Sequence, residues 1–245
     1  MDTTPDDARS FTISQGTFWA SPTGDSKMFY NLEKLHKFYD ADFATTIGSF
    51  LGPDAVVADI GANIGEFSVA IAPHARKVYA FEPVARSRAL LTKNTAATPN
   101  VEIIACALGN TEGTVNLTPD TANNSGTYRV TGEGSIPLRT LDSFAIDPSF
   151  IKIDVQGLDI RVLQGAVKTI EKNKPTVLFE ICDLTIKYGG IRSLRTILPG
   201  YTLRYFPSLK KVSLFSLGLE LTLRYYLTRP RHYDILATPP EVKNS

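Results

Sequence analysis

Four acidic residues stand at the ends of short apolar segments that are typical of buried strands. Asp59 lies near the end of the first segment, and Glu82, Asp154 and Glu180 stand at the ends of later ones. In α/β folds, ligands bind in the crevice at the carboxyl ends of parallel strands. We therefore expect these carboxylates to face a ligand, where they could bind a cation, accept hydrogen bonds from hydroxyls or take up a proton.

A turn with two glycines follows the first strand and narrows the choice of ligand. The predicted strand Val56–Ile60 leads into Gly61-Ala-Asn63-Ile-Gly65, and apolar residues at helical spacing come next. A dinucleotide site requires G-x-G-x-x-G, whose middle glycine lets the pyrophosphate approach the backbone. Asn63 occupies that position, which disfavours a dinucleotide. Asp59 would repel a pyrophosphate but suits a cationic amino acid moiety.

The second predicted strand supplies the other half of the ligand site. It spans Lys77–Phe81 and is followed by Glu82 and Pro83. A carboxylate at that place can bind both hydroxyls of a ribose. A site for an amine beside a site for a ribose describes S-adenosylmethionine (SAM), which we predict as the cofactor.

Further motifs follow in order along the chain. They are Asp59 to Gly65, Phe81-Glu82-Pro83, Ile151-Lys-Ile-Asp154-Val-Gln156-Gly157, Leu163-Gln-Gly-Ala166 and Phe179-Glu180-Ile181. This ordered set, over about residues 51–245, resembles the FkbM family of SAM-dependent methyltransferases. The family more often has Glu at the place of Gln156.

The resemblance implies a fold and a set of cofactor contacts. The fold is a Rossmann-like class I methyltransferase fold: α/β, with a mostly parallel seven-stranded sheet whose last strand inserts antiparallel between its neighbours. The segment around Ala107 and Leu108 resembles the part of the family that lies over the adenine. The expected cofactor-binding residues are Asp59, Gly61, Asn63, Gly65, Glu66, Phe67, Glu82, Pro83, Ala107, Leu108 and Asp154.

Motifs of other methyltransferases are missing from the sequence, which favours an oxygen acceptor. No Asn/Asp-Pro-Pro-Tyr/Phe tetrapeptide is present for exocyclic base amines, and no Pro-Cys pair is present to attack a pyrimidine. In keeping with the resemblance, we expect O-methylation of a hydroxyl on a sugar or small natural product, without a nucleic acid partner. Two other functions remain open: a SAM-fold binding module without catalysis and, against the evidence of Asn63, a dinucleotide-dependent oxidoreductase.

A hydroxyl acceptor needs a base, and two carboxylates are candidates. Glu180 ends the apolar strand Thr-Val-Leu-Phe, where partial desolvation favours a base. Asp154 is expected to hold the methionyl amine, although the roles could be reversed. A divalent metal held by both is possible but not favoured, because Gln156 is a poor third ligand and the sequence has no histidine pair. Asp159 lies just inside the next predicted helix, which runs from Leu158 to Lys172. The helix dipole stabilises a carboxylate at that place.

The composition and the start of the chain limit the class of protein to which this sequence can belong. The net charge is +1, so bulk charge does not favour nucleic acid or membrane binding. Cys106 and Cys182 are the two cysteines, which suits a reducing compartment rather than a disulfide framework. The acidic start of the chain is unlike a signal peptide, and no apolar stretch approaches the roughly 18 residues of a spanning helix. We expect a cytoplasmic protein without a transmembrane segment.

The pattern of the first fifty residues differs from that of the rest. Residues 1–51 form a predicted N-terminal extension, a hairpin within residues 11–24 followed by helical pattern, and this extension could cover the acceptor. Gly52-Pro53 marks the boundary of a methyltransferase domain at residues 52–245. Within that domain, Asn124 and Ser125 lie in a polar loop that resembles a family motif near the mouth of the site. They are candidate substrate contacts, and a plain surface turn is the alternative.

Overall fold

The structure, a computed structural model, describes residues 4–14, 16–23, 26–36, 38, 41–119, 128–181, 190–213, 217 and 233–240. The main sheet has seven strands. Across the sheet their order is Thr202–Tyr205, Tyr233–Thr238, Thr176–Ile181, Phe150–Ile153, Val56–Ile60, Lys77–Phe81 and Val101–Ile104. The chain divides into two compact units, Met1–Ala107 with Gly113–Leu138 and Leu108–Glu112 with Arg139–Ser245. Each unit is described below by itself.

The first unit contains three parallel strands of the main sheet and the helices between them. Strand β3 (Val56–Ile60) pairs with β4 (Lys77–Phe81), which pairs with β5 (Val101–Ile104). Helix α3 (Glu66–Ile71) follows β3 and continues into a 3₁₀ turn, and α4 (Ala85–Asn94) follows β4. All five residues of β3 are buried, as expected for a strand covered on both faces. This confirms the first two predicted strands.

The N-terminal residues of this unit begin with a hairpin. Strands β1 (Arg9–Ile13) and β2 (Gly16–Ala20) pair antiparallel, and α1 (Ser26–Tyr30), a π-helical turn (Asn31–Leu35) and α2 (Ala41–Gly48) follow. The predicted hairpin is therefore present, a few residues earlier than expected. Phe18 and Phe38 meet edge to face with ring centroids 4.7 Å apart, so hairpin and helical segment share one core.

Short strands follow β5. Strand β6 (Ala107–Leu108) comes first, β7 (Gly113–Val115) pairs antiparallel with β10 (Ile136–Arg139), and β8 (Leu117–Pro119) pairs with β9 (Tyr128–Val130). The sequence predicts one strand from residue 114 to 117, but the structure divides it into β7 and β8. Asn124 and Ser125 lie outside the described residues.

The second unit contains the other four strands of the main sheet. Strand β11 (Phe150–Ile153) is parallel to β12 (Thr176–Ile181), and β14 (Tyr233–Thr238) lies antiparallel between β12 and β13 (Thr202–Tyr205). The predicted antiparallel insertion of the last strand is confirmed. Helices α5 (Asp159–Gln164), α6 (Val167–Asn173) and α7 (Gly190–Ile197) and a 3₁₀ turn (Leu141–Ser143) complete the described elements.

The single helix predicted from residue 158 to 172 is wrong, because the structure divides it into α5 and α6. At the junction, the Cα of Gly165 packs so closely on the carbonyl oxygen of Gly109 that a Cβ could not be accommodated. Asp142 then accepts hydrogen bonds from the N–H groups of Lys168 (3.0 Å) and Thr169 (2.8 Å) at the start of α6. Tertiary contacts of this kind are not visible in a local hydrophobic pattern.

Candidate functional site

The glycine turn after β3 is shaped by three residues with positive φ. Gly61, Asn63 and Gly65 have φ angles of 83°, 49° and 95°. Asparagine is enriched among non-glycine residues in this region, which is a backbone reason for Asn63 beyond ligand choice. The N–H groups of Gly61 and Ala62 both donate to the carbonyl oxygen of Phe81 at 3.0 Å. The turn is thereby attached to the end of β4, where Glu82 follows.

Glu82 has a buried carboxylate, with 6% of the residue's surface exposed. Its Oε2 accepts a hydrogen bond from the N–H of Asn63 and its Oε1 from the N–H of Val84, each at 2.8 Å. Desolvation by burial raises the pKa of Glu82 to about 7, although these hydrogen bonds and the charge of Arg88 oppose the shift. Burial disfavours ionisation of this carboxyl group, and backbone N–H groups of Asn63 in the glycine turn and of Val84 hold it in place.

The predicted binding of a ribose by Glu82 stays a prediction, and its hydrogen bonds are compatible with it. A carboxylate oxygen can accept two hydrogen bonds, and each oxygen of Glu82 accepts one from a backbone N–H. The remaining acceptor position on each oxygen is available for a ribose hydroxyl. The same carboxylate that orders the turn can therefore bind both hydroxyls.

Asp59 is fully buried, and its Oδ2 accepts a hydrogen bond of 2.6 Å from the hydroxyl of Ser68 on α3. This contact joins the end of β3 to the helix that follows the glycine turn. The predicted binding of an amine by Asp59 stays a prediction. Glu66 and Phe67, at the start of α3, are buried with exposures of 1% and 3%.

Sequence reasoning missed Asn94, which connects the N-terminal hairpin to the glycine turn. Its Oδ1 accepts from the N–H of Trp19 (2.6 Å), and its Nδ2 donates to the carbonyl oxygens of Trp19 (2.9 Å) and Ile64 (2.8 Å). Met28 on α1 also contacts the turn, since Asn63 Nδ2 lies 3.5 Å from its sulfur. Asn94 is the last residue of α4, and its local sequence contains no signal for these contacts.

In the second unit, Asp154 directly follows β11. Its Oδ1 accepts a hydrogen bond of 3.3 Å from Nε2 of Gln156, and its Oδ2 lies 3.6 Å from Nζ of Lys152. Gln156 and Gly157 both have positive φ, 56° and 87°, so the backbone turns sharply after Asp154. Gln156, which replaces the glutamate more usual in the family, here orients Asp154 as a neutral donor.

Glu180, the predicted base, lies near the end of β12, one residue beyond Phe179, which pairs with Ile153 of β11. Its N–H donates to Oδ1 of Asp159 at 3.1 Å, and the N–H of Gly157 donates to Oδ2 of the same carboxyl group at 3.2 Å. Asp159 is fully buried. Burial, together with the charges of Asp154 and Glu180, holds the pKa of Asp159 well above its usual range.

The remaining predicted contacts lie at the end of β4, in β6 and in the loop with Asn124 and Ser125. The carbonyl oxygens of Glu82 and Pro83 accept hydrogen bonds from the guanidinium of Arg88, which holds the backbone at the end of β4. Ala107 and Leu108 form the short strand β6, with Leu108 buried. Their predicted contacts with an adenine stay a prediction, as do the substrate roles of Asn124 and Ser125.

In the described part of the chain, no group of three or more His, Cys, Asp or Glu side chains is placed to hold a metal ion. No helix among the same residues is long and apolar enough to cross a membrane. The predicted cytoplasmic location stays a prediction.

Known proteins resemble this chain in sequence and in fold. Hexuronic acid methyltransferase AglP of Haloferax volcanii is 29% identical over 126 residues, covering 48% of this chain and 52% of AglP. AMB antimetabolite synthetase AmbE of Pseudomonas aeruginosa is 39% identical over 98 residues, covering 37% of this chain and 5% of AmbE. The chain thus spans about half the length of AglP and a small part of AmbE.

The crystal structure of M. jannaschii TYW2 in complex with AdoMet has a TM-score of 0.50 and 14% identity, and the match covers 95% of this chain and 86% of that one. This likeness concerns the fold alone, and the predicted class I methyltransferase fold is confirmed. The model of the Methyltransferase FkbM domain matches residues 59–205, which is more than half of the 245 residues. The chain therefore belongs to the FkbM methyltransferase family.

Proposed function

We propose that the chain is a SAM-dependent O-methyltransferase whose acceptor is a hydroxyl on a sugar or small natural product. The observation that carries the proposal is the Glu82 carboxylate, held by the N–H groups of Asn63 and Val84 with an acceptor position left on each oxygen. Membership of the FkbM family supports methyl transfer. The name of AglP, a hexuronic acid methyltransferase, supports a sugar acceptor.

The residues of the cofactor motifs would bind and orient the cofactor. Glu82 accepts the ribose hydroxyls, the glycine turn from Gly61 to Gly65 allows close approach to the backbone, and Asp59 and Asp154 bind the amino acid moiety. Ala107 and Leu108 contact the adenine. When bound, SAM supplies a methyl group that its sulfonium has already activated.

The second unit would supply the base. A hydroxyl is a weak nucleophile at neutral pH, so a positioned carboxylate must take its proton as the carbon–oxygen bond forms. Glu180 takes this proton, and Asp154, held by Gln156, lies beside Lys152. A hexuronic acid also carries a carboxylate, which needs no base, so the effect of removing Glu180 distinguishes the two kinds of acceptor oxygen.

The acceptor would be bound by parts of the chain outside the cofactor motifs. We assign this role to the N-terminal extension, residues 1–51, with methyl transfer in the domain at residues 52–245, and to the loop with Asn124 and Ser125. Met28 supports the assignment, because it places α1 against Asn63 of the glycine turn. A small molecule or glycan, rather than a nucleic acid, is the proposed partner.

Calorimetric titration with SAM, S-adenosylhomocysteine and NADH tests the cofactor. We expect both SAM and its product to bind, and tighter binding of NADH would contradict the proposal. A screen of hydroxylated acceptors, including free and glycosidic hexuronic acids, with methyl-labelled SAM then tests the reaction. Binding of SAM without transfer to any acceptor would favour the non-catalytic binding module instead.

A further inference from the structure

Asp159 is a buried carboxyl group that the reaction outlined above does not use. It is the first residue of α5 and is fully buried. Its two oxygens accept hydrogen bonds from backbone N–H groups of two separate segments, Gly157 at 3.2 Å and Glu180 at 3.1 Å. A buried carboxyl group is costly unless it is well hydrogen-bonded, so its place in this fold requires a reason.

The helix dipole gives an incomplete account of Asp159. A carboxylate in the first turn of a helix interacts favourably with that helix, but Asp159 accepts hydrogen bonds from the N–H groups of Gly157, before the helix, and of Glu180, on a strand. Burial and the nearby charges of Asp154 and Glu180 raise its pKa, which shows that the site carries an electrostatic cost.

The two donors belong to the backbone segments that carry the proposed catalytic residues. Strands β11 and β12 pair as far as Ile153 and Phe179, and Glu180 is the next residue of β12. Its N–H donates to Asp159, which fixes the backbone from which the Glu180 side chain projects. The other donor, Gly157, follows Gln156, whose side chain donates to Asp154.

We propose that Asp159 is a positioning residue that holds the backbone of Glu180 and the turn after Asp154 in one arrangement, so that the base has a fixed direction. The proposal rests on the proposed function, because it assigns the proton transfer to Glu180. A displacement of about 1 Å in a catalytic group can reduce the rate by as much as about 10²-fold. Asp159→Asn should therefore reduce kcat by up to about that factor. The SAM dissociation constant should change much less, because the Asp154 side chain is held by Gln156 and not by Asp159.

Asp142 provides a matched control in the same unit. Like Asp159, it accepts hydrogen bonds from two backbone N–H groups, those of Lys168 and Thr169 at the start of α6. Asp142→Asn removes the same kind of contact from a helix start that carries no proposed catalytic residue. We expect it to lower the melting temperature as Asp159→Asn does and to leave kcat unchanged. An equal loss of kcat in both variants would overturn the proposal.

A double variant tests whether Asp159 acts through Glu180. If it does, Asp159→Asn should cause no further loss of kcat in a chain that already carries Glu180→Gln, because effects of residues that act as a unit are not additive. The assay uses methyl-labelled SAM and the acceptor with the highest turnover in the screen above. A further loss in the double variant as large as that in the wild-type background would overturn the proposal.

Amide hydrogen exchange tests the same contact without any acceptor. In the full chain, the Glu180 amide should exchange faster in Asp159→Asn than in the wild type and should keep its wild-type rate in Asp142→Asn. Unchanged exchange in Asp159→Asn would overturn the role of Asp159, whatever the base is. Wild-type turnover in Glu180→Gln would instead overturn the base of the proposed function, so the two failures are distinguishable.

Discussion

At the scale of single residues, Glu82 connects the backbone of the glycine turn to the proposed ribose site. Its carboxylate accepts from Asn63 and Val84, and burial raises its pKa to about 7. Ribose hydroxyls donate more strongly to the ionised form than to the neutral acid. Binding of a ribose therefore favours loss of the Glu82 proton. Without a ligand, burial raises the pKa of Glu82 from its ordinary value of 4.5 to about 7.

We predict that affinity for adenosine rises with pH through about 7 and becomes constant above it. Adenosine carries the ribose without the titrating amine of SAM, so the dependence reports Glu82. Because the pKa of Glu82 is raised on folding, this group contributes stability to the free protein that is fully present below about pH 4.5. This contribution is lost as the pH rises through about 7. Calorimetric titration from pH 5.5 to about 8.5 measures the effect.

Glu82→Gln is the control for this prediction, because it removes the titrating group and should make adenosine affinity independent of pH. Glu82→Ala should weaken SAM binding by about 1.5–3 kcal/mol, the range for hydrogen bonds to charged groups. Near-wild-type affinity in Glu82→Ala would show that the ribose carboxylate is misassigned.

The two proposed catalytic carboxylates should respond differently to neutralisation. Glu180→Gln should reduce kcat by ~10²–10⁴-fold with little change in the SAM dissociation constant, because it removes a base. Asp154→Asn should weaken SAM binding as well as the rate, because Asp154 is assigned to the amine. Steady-state kinetics and titration of both variants across pH measure these effects.

The opposite pattern, normal turnover of Glu180→Gln with an inactive Asp154→Asn that still binds SAM, would reverse the two roles. Normal turnover of both variants would point to an acceptor that is already ionised, such as a carboxylate. Activity restored by an added divalent ion would indicate metal-assisted deprotonation.

At the scale of elements, the strands were more predictable than the helices. Buried strands such as β3 and β11 are continuous apolar segments of the chain, so their bounds follow from local sequence. The division between α5 and α6 depends on Gly109, more than fifty residues away in the sequence, and on Asp142. No local pattern contains that information, although the glycine at 165 in the middle of a predicted helix was a warning.

We predict that Gly165→Ala destabilises the protein by roughly 1–3 kcal/mol, the usual cost of overpacking. Its Cβ would overlap the carbonyl oxygen of Gly109, so either α5 or the chain at Gly109 must move. Gly52→Ala is the matched control, because a Cβ there meets nothing within 4 Å. Urea unfolding of both variants measures the difference, and equal stabilities would show that the close approach is unimportant.

At the scale of the whole molecule, sequence motifs led to candidate residues of the cofactor site but not to the residues that support them. Asp59, Asn63 and Glu82 could be proposed from the sequence, because their residue types and spacing match a ligand. Asn94 and Asp159 could not, because each acts through hydrogen bonds to backbone groups of distant segments. The acceptor side is the least predictable part, since recognition of an acceptor requires only a shape and a few polar groups.

The structure changes how the N-terminal extension can be tested. Ile13, Phe18, Ala20 and Phe29 belong to a buried cluster that also contains Val69 of α3 and other residues of the first unit. Deletion of residues 1–30 would remove these side chains and expose the cluster, so lost turnover would not separate an acceptor role from misfolding. Substitution of exposed side chains in the same extension avoids this difficulty.

Tyr30 and Leu35 are large hydrophobic residues with 56% and 51% of their surface exposed, and they follow Met28, which contacts the glycine turn. If the extension covers the acceptor, Tyr30→Ala and Leu35→Ala should raise the acceptor KM, while the SAM dissociation constant and the melting temperature stay unchanged. Val167→Ala, on α6 with 38% exposure, is the control and should leave the acceptor KM at its wild-type value. Wild-type KM in both N-terminal variants would contradict the acceptor role of this surface, because a side chain that contacts the bound acceptor loses apolar contact area when it is truncated.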